Sequence, residues 1–595
     1  MGSEEPPSTM LRAFPMSPSG NDAAPSRPAD ATCPSHTTSG NVNGKQTGRR
    51  AMEFNLADLF ESVVDVVPEQ PAIIADDRRL TYAELDGRAN RLAHHLASAG
   101  VGSRDRIGLQ LANGSEYLEG MLACFKIRAI PVNVNYRYVT SELRYLYQDA
   151  GLVGLVFHSR FAPAVSDALR AIPERRTLLE VRDSSNASDL GDDYERALAA
   201  SVESRGFAPR SADDLYCVYT GGTTGMPKGV LWRHEDIFFA GMGGGDALAL
   251  GSIIESPQEL ATRVMRPGMT ALPCPPFMHS SAHWLAFTML FGGGKLVTLP
   301  GGHFDPAATW RLVGTEAVNI LVVVGDAMAR PLLDEFDVHA SRYDISSLMA
   351  VGSGGAVLSP ATKQRLAEVL PGRIVVDAFG SSETGQLGGR ARDKDPYGTP
   401  LLHVDESTDV LDDARQPVAP GSGVVGHLAR SGHIPLGYLG DADKTATSFV
   451  ESVGKRWALP GDMATVDSDG AITVLGRGSL CINTGGEKVF PDEVEVAVKS
   501  CADVEDVVVV GVPDERFGER VVAVVQPRAG CQVDIEALRT LCRGRMAGYK
   551  VPRQVVVADA ITRSPSGKAD YRWAKAFALG LDHGFVYPPS VEAGA

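Results

Sequence analysis

Apolar positions along this chain change their period several times. Tyr82, Leu85, Ala89, Leu92, Ala93 and Leu96 recur at helical spacing after Thr81, which predicts a helix capped by the threonine hydroxyl. Arg106–Leu111 is a short apolar run that predicts a strand, and residues 116–125 return to helical spacing. Strand signals recur at Ile320–Val324 and Ile374–Ala378. Repeated strand–helix units imply an α/β architecture of mostly parallel sheets covered by helices.

After Arg477 the pattern shifts. Asp492–Ser500 and Ile535–Met546 predict helices, while Val504–Val512, Arg520–Gln526 and Gln554–Ala558 predict strands. Such a small α+β unit, about one hundred residues long, can fold as its own domain. The expected organisation is a disordered extension over 1–51, a large domain over 52–477 and a small C-terminal domain over 478–595. The extension is rich in Ser, Pro, Gly, Asn and Thr, and buries too little apolar area to offset its ordering entropy.

Composition narrows the function classes. A chain of 595 residues exceeds what one core organises, in keeping with two domains. A formal net charge of -16 gives no basic footprint for nucleic acid or an anionic membrane surface. It leaves room for an anionic substrate in a local pocket. The 8 cysteines contain no Cys-x-x-Cys pair, so reduced thiols are expected and zinc ligation is not. No apolar run approaches the ~18 residues of a membrane span. The N-terminus lacks a secretory pattern, so the expected location is cytoplasmic.

Candidate chemistry begins where the strand Asp214–Tyr219 runs into Thr220-Gly221-Gly222-Thr223-Thr224-Gly225-Met226-Pro227-Lys228-Gly229. Glycines let backbone N–H groups converge on an oxygen-rich ligand, threonine hydroxyls add donors, and Lys228 adds positive charge. That combination suits a polyphosphate. A Walker-type loop needs Gly-x-x-x-x-Gly-Lys-Ser/Thr, which Pro227 and Gly229 break. Gly421, Gly423 and Gly426 do spell Gly-x-Gly-x-x-Gly, but Pro417 and Pro420 precede them, so a turn is expected there.

With this loop, further segments between about residues 55 and 580 make the chain resemble the adenylate-forming superfamily. That superfamily includes acyl-CoA synthetases, peptide-synthetase adenylation domains and firefly luciferase. Phe379-Gly380-Ser381-Ser382-Glu383-Thr384 resembles its aromatic-Gly-x-Thr-Glu segment, with Ser382 where Thr is usual. The resemblance makes Phe379 an adenine-stacking surface, Gly380, Ser381 and Ser382 part of the ATP site, and Glu383 a Mg2+ ligand. Gly352-Ser353-Gly354-Gly355-Ala356 is similar to the loop lining the adenine side, so Gly354 and Gly355 join the ATP site. Asp462 would accept from ribose hydroxyls, and Arg477 would contact ribose or phosphate. Lys568, after Ser564-Pro565-Ser566-Gly567, matches the family's mobile catalytic lysine. Gly478-Ser479 is the implied hinge, although many relatives carry Asp or Lys where Ser479 stands.

The resemblance implies an ATP-dependent enzyme working in two half-reactions. A carboxylate first attacks the α-phosphorus of Mg·ATP; a thiol then displaces AMP from the acyl-adenylate. Gly485-Gly486-Glu487-Lys488 looks like the form found in CoA ligases for fatty and steroid side-chain acids, which implies coenzyme A as the thiol. Trp232–Asp236 and Phe238–Gly245 look like actinobacterial enzymes acting on cholesterol side chains. His279, closing Pro275-Pro276-Phe277-Met278-His279, is a catalytic candidate and gate, and Phe239, Gly243, His279 and Gly352 are acyl-pocket candidates. Taken alone, His279 could equally be a buried, hydrogen-bonded histidine, and the glycine stretch a loop with no substrate role. An acyl-AMP ligase serving a carrier protein, and a nucleotide-binding regulatory ATPase, remain alternative functions. Expected partners are a small carboxylic acid, ATP and CoA; the sequence leaves a homodimer open.

Overall fold

A computed structural model describes residues 52–183, 188–220, 226–247, 253–302, 304–356, 358–388, 402–484, 487–514, 516–563 and 568–581. The expectations for the extension 1–51, for Gly221, Gly222, Thr223, Thr224 and Gly225, for Gly485-Gly486 and for Ser564–Gly567 lie outside the described residues.

Local signals in the sequence are realised where they were strongest. Helix Tyr82–Ser98 begins at Thr81, whose Oγ1 accepts from the Glu84 N–H at 3.2 Å while Glu84 Oε2 accepts from the Thr81 N–H at 2.8 Å. This reciprocal box satisfies two donors that a helix start leaves unpaired. Strand Arg106–Gln110 and helix Ser115–Lys126 follow. Every residue of the strands Ile130–Asn133 and Gly154–His158 is buried, as expected of parallel strands covered on both faces.

Two eight-stranded sheets form the large part. One runs in spatial order Gly385–Gly388, Ile374–Ser381, Ala350–Gly354, Ile320–Val323, Thr270–Pro273, Lys295–Val297, Pro71–Ala75 and Arg78–Thr81. It is parallel except at its two ends. The other runs Gly437–Tyr438, Lys228–Arg233, Leu215–Thr220, Ile130–Asn133, Arg106–Gln110, Gly154–His158, Thr177–Val181 and Asp192–Asp193. One continuous core, from Ile73, Ala271 and Leu296 through Phe60, Leu92 and Phe125 to Leu109, Val156 and Trp232, joins them.

A third, seven-stranded sheet within residues 402–477 has antiparallel pairings throughout, which the expectation of mostly parallel sheets did not separate. Its strands are two to seven residues long and pair across turns, so no long period announces them. Gly421 and Gly423 occupy left-handed φ values of +73° and +70° in one such turn, where the glycine pattern is followed by the strand Gly426–Ser431 rather than a helix.

The C-terminal part carries its own sheet, in which Val504–Asp514 and Gly518–Pro527 form a long antiparallel pair and Gln554–Val557 adds in parallel. Helices Pro491–Lys499 and Ile535–Arg543 pack on it through Val494, Val498, Leu538 and Cys542. Arg330, buried on helix Gly325–His339, reaches this part and donates to the carbonyls of Val504 and Glu505 at 3.2 and 2.6 Å.

Two features of the core fix its response to perturbation. Lys126 is fully buried, and its Nζ lies 2.5 Å from Glu61 Oε1 and 2.6 Å from Asp86 Oδ1. Arg210 and Arg205 hold the outer oxygens of the same carboxylates. Removing one partner from a buried ion cluster leaves charge uncompensated. Lys126→Ala should therefore cost about 3 kcal/mol, the low end of the range for a broken buried pair because both arginines remain. Thermal melting checks this, and a melting temperature unchanged from wild type contradicts it.

The second feature is a set of core histidines. His158 accepts from the Ala112 N–H at 3.1 Å, His234 from the Leu56 N–H at 3.3 Å, and His283 Nδ1 bonds the Phe277 carbonyl at 2.7 Å. Burial lowers their imidazoles to about 4, 3 and 4 respectively. The unfolded chain binds protons below about 6.5 that these folded groups exclude, so their contribution to stability is lost as pH falls from 6.5 towards 4. Imidazole resonances of the folded protein should include three that do not titrate between about pH 7.5 and 5; titration of all of them contradicts this reading.

Candidate active site

The parallel strands Ala350–Gly354 and Ile374–Ser381 run in register, with Ser353 opposite Asp377 and Gly354 opposite Ala378. Gly352–Gly355 and Phe379–Thr384 therefore emerge side by side at the C-terminal ends of the strands, where open α/β sheets form ligand crevices. Phe379 packs, partly buried, against the apolar core of the antiparallel sheet with Leu387 and Val474. Beyond it the chain turns tightly. The Ser381 N–H donates to Thr384 Oγ1 at 3.1 Å, the Glu383 N–H to Ser381 Oγ at 3.2 Å, and Trp232 Nε1 to the Ser382 carbonyl at 3.0 Å. The Tyr438 hydroxyl donates to Glu383 Oε1 at 2.9 Å, fixing that carboxylate.

Asp462 and Arg477 face each other across adjacent strands of the antiparallel sheet. Arg477 Nε lies 3.2 Å from Asp462 Oδ1, and its Nη1 donates to the Pro460 carbonyl. Between them, Gly476 has a φ of +117°, and a Cβ there would lie 2.1 Å from Asp492 Oδ2 on the first turn of helix Pro491–Lys499. The Gly478 N–H donates to the Gly461 carbonyl at 2.9 Å, at the start of the short helical turn Gly478–Leu480 that contains the implied hinge.

Lys568 directly precedes Ala569, which forms a bridge with Arg563. Arg563 in turn forks onto Asp506, with Nε 2.8 Å from Oδ2 and Nη2 2.6 Å from Oδ1. Lys499, 3.2 Å from the same carboxylate, completes the anchor. Lys568 keeps access to solvent. The protein atoms crowding around it lower its ammonium below the usual lysine range, and the Arg477 charge adds to this while Glu383 and Asp462 oppose it. Burial raises the Asp462 carboxyl; Glu383 adds to the rise, while Arg477 and Lys568 oppose it. Four charged groups, brought from distant parts of the chain, thus share one field.

His279 immediately precedes helix Ser280–Phe291 and feels the charge of Lys568. Burial lowers its imidazole to about 3, and the positive charges of Lys568 and Arg137 contribute. Its Nε2 is buried with no hydrogen-bond partner, an arrangement that costs free energy until a ligand group or water supplies one. Lys228 returns alongside Thr220 on the neighbouring strand and lies 3.5 Å from Asp149 Oδ1 and 3.4 Å from Asp441 Oδ2.

Among the acyl-pocket candidates, Phe239 stacks on His433 with ring centroids 4.6 Å apart and meets Phe54 edge-on at 4.9 Å. Gly243, Gly244 and Gly245 have φ values of +84°, +57° and +82°, and added Cβ atoms would meet Thr288, Phe239 and Ile254. Their smallness here serves a left-handed turn and close packing. Gly352 lies between Val322 and Val376 in the first sheet. Tyr438, Asp149 and Asp441 were not singled out from sequence, and Trp232 was read only as part of the Trp232–Asp236 segment; each acts on a residue distant in the chain, and no spacing signals that.

The family model for AMP-binding enzyme matches residues 60–439, and that for the AMP-binding enzyme C-terminal domain matches residues 493–568. A 3-oxocholest-4-en-26-oate–CoA ligase of Rhodococcus rhodochrous is 47% identical over 534 residues, covering 88% of this chain and 96% of the relative. A medium/long-chain-fatty-acid–CoA/3-oxocholest-4-en-26-oate–CoA ligase of Mycobacterium tuberculosis (strain ATCC 25618 / H37Rv) is 46% identical over 532 residues, covering 88% and 96%. The anthranilate CoA ligase AuaEII, solved with anthranoyl-AMP, shares the fold at a TM-score of 0.76 and 21% identity, covering 89% of this chain and 98% of that one. ATP-bound MatB from Rhodopseudomonas palustris does so at a TM-score of 0.74 and 24% identity, covering 88% and 99%. With matches to both family models and relatives this similar along nearly their whole length, the chain belongs to the family of AMP-binding enzymes.

Proposed function

We propose that the protein is an AMP-forming acyl-CoA synthetase, which activates a bulky or long-chain carboxylic acid as its adenylate and then transfers the acyl group to coenzyme A. The observation that carries this reading is the mutual electrostatic influence of Glu383, Asp462, Arg477 and Lys568, the last of which also acts on His279 with its unpaired Nε2. A carboxylate attacking a phosphate must overcome like-charge repulsion, and fixed cationic side chains are the means of doing so. Lys568 and Arg477 supply that charge. In this reading Asp462 accepts from ribose hydroxyls, and Phe379, with Gly352–Gly355, lines the adenine. Glu383, its Oε1 fixed by Tyr438 at 2.9 Å, offers the hard oxygen that Mg2+ prefers. When bound, that ion would neutralise phosphate charge.

The substrate class rests on the relatives, which are named as ligases of 3-oxocholest-4-en-26-oate and of medium- and long-chain fatty acids. A steroid side-chain acid or a fatty acid is therefore the proposed substrate. Phe239, Gly243, His279 and Gly352 are the proposed acyl-side residues. No helix among the described residues is long and apolar enough to cross a membrane; a cytoplasmic location is part of the proposal.

For the thioester step we place the domain boundary and pivot at Gly478-Ser479, between residues 52–477 and 478–595. Rotation there withdraws Lys568 and breaks the bonds from Arg330 to the Val504 and Glu505 carbonyls. The two half-reactions then depend on different arrangements of the same residues.

Lys568→Ala should lower adenylate formation on the order of a hundredfold or more, as loss of a preorganised charge does, while a supplied acyl-adenylate still reacts with CoA near the wild-type rate. Pyrophosphate release and acyl-CoA formation measure the two steps separately, and equal loss of both contradicts the assignment. A panel of acids with ATP and CoA should release AMP fastest with steroid side-chain and long-chain acids. Preference for short aliphatic or aromatic acids overturns the substrate class, and release of ADP with phosphate overturns the reaction.

A further inference from the structure

Asn133 ends the buried strand Ile130–Asn133, which pairs with the strand Leu215–Thr220 through the single register Val132 opposite Cys217. Past that pair the two backbones no longer form a ladder, and the Asn133 side chain takes over. Its Oδ1 accepts from the Tyr219 N–H at 2.6 Å, and its Nδ2 donates to the Tyr219 carbonyl at 2.9 Å. The same Nδ2 donates its second proton to the Met278 carbonyl at 2.7 Å. Both amide protons and the oxygen are thereby used in a buried setting, where an asparagine can make at most four such bonds.

The two segments joined in this way are the two ends of the proposed chemistry. Tyr219 immediately precedes Thr220, where the strand runs into the glycine- and threonine-rich sequence. Met278 immediately precedes His279. Tyr219 is held from its other end by its hydroxyl, which donates to Asp149 Oδ2 at 2.8 Å, and Asp149 also faces Lys228. The Pro275–His279 segment is held separately by Asn113, which donates to the Pro275 carbonyl at 3.1 Å and accepts from the Phe277 N–H at 2.6 Å. Asn113 touches only the histidine segment in this way, whereas Asn133 touches both.

We propose that Asn133 is a positioning residue that sets the root of the phosphate-side segment and the His279 segment in one mutual register. ATP binding and acyl-acid binding are then coupled through a single side-chain amide. Truncating it leaves two buried carbonyls and an N–H without partners, and each segment is free to shift independently. The inference rests on the acyl-CoA synthetase reading above.

The test compares Asn133→Ala, Asn133→Ser and Asn113→Ala with wild type in steady-state AMP release, with each substrate varied in turn and melting recorded for each variant. Both Asn133 variants should raise KM for ATP and for the acid together, by about fivefold or more, the scale of a lost buried hydrogen bond. Asn113→Ala should raise KM for the acid alone. Asn133 variants that melt earlier but keep both KM values, or that change only one, overturn the proposal. A second measurement uses wild type only: a non-hydrolysable ATP analogue without acid should slow amide hydrogen exchange over residues 276–280, and unchanged exchange there also overturns it. If wild type forms no AMP with any acid, the synthetase reading fails; if wild type is active and the variants match it, this inference fails alone.

Discussion

Holding charges of both signs close together without letting them cancel is the constraint on which this architecture turns. Glu383, Asp462, Arg477 and Lys568 act on one another, yet only Asp462 and Arg477 pair directly, at 3.2 Å. Each carrier is rigid for its own reason. Glu383 sits on a turn tied at Ser381, Ser382 and Tyr438. Asp462 and Arg477 are locked by strand register, and Lys568 adjoins Ala569, whose bridge partner Arg563 is clamped to Asp506. Partial desolvation strengthens every interaction inside such a cleft, so small displacements of these carriers are felt as large changes in field.

Sequence and structure agree where the deciding interaction is local. The capping box at Thr81 joins residues three apart, and the helix it starts was legible at once. The segment Phe379–Thr384 could likewise be singled out, because its candidate residues are consecutive. The antiparallel sheet was not, since its short strands pair at distances set by turns rather than by any period. The same holds within the site. Trp232 bonds a carbonyl 150 positions away, and Asn133 bonds one 145 positions away, so no window of sequence contains the pair. The glycines at 243–245 were ambiguous for a different reason. A small residue serves open space and tight turns alike, and only backbone angles separate the two.

The comparison proteins illustrate how loosely the fold constrains sequence. At 21% and 24% identity, AuaEII and MatB keep the same architecture over almost their full length. What must persist is burial on the strands and the relative placement of the sheet ends; side chains around the acyl region can vary beneath that limit.

Gly476 gives this division a mechanical meaning. It lies on a large-domain strand, and the space its missing Cβ leaves is filled by a carboxylate oxygen from the first helix of the small domain. The approach of helix to strand is therefore metered by one absent carbon. A methyl group there would be a wedge driven against the Asp492 carboxylate, and the left-handed φ of +117° makes such a wedge doubly unwelcome. The fit of these two elements is a matter of clearance as much as of attraction.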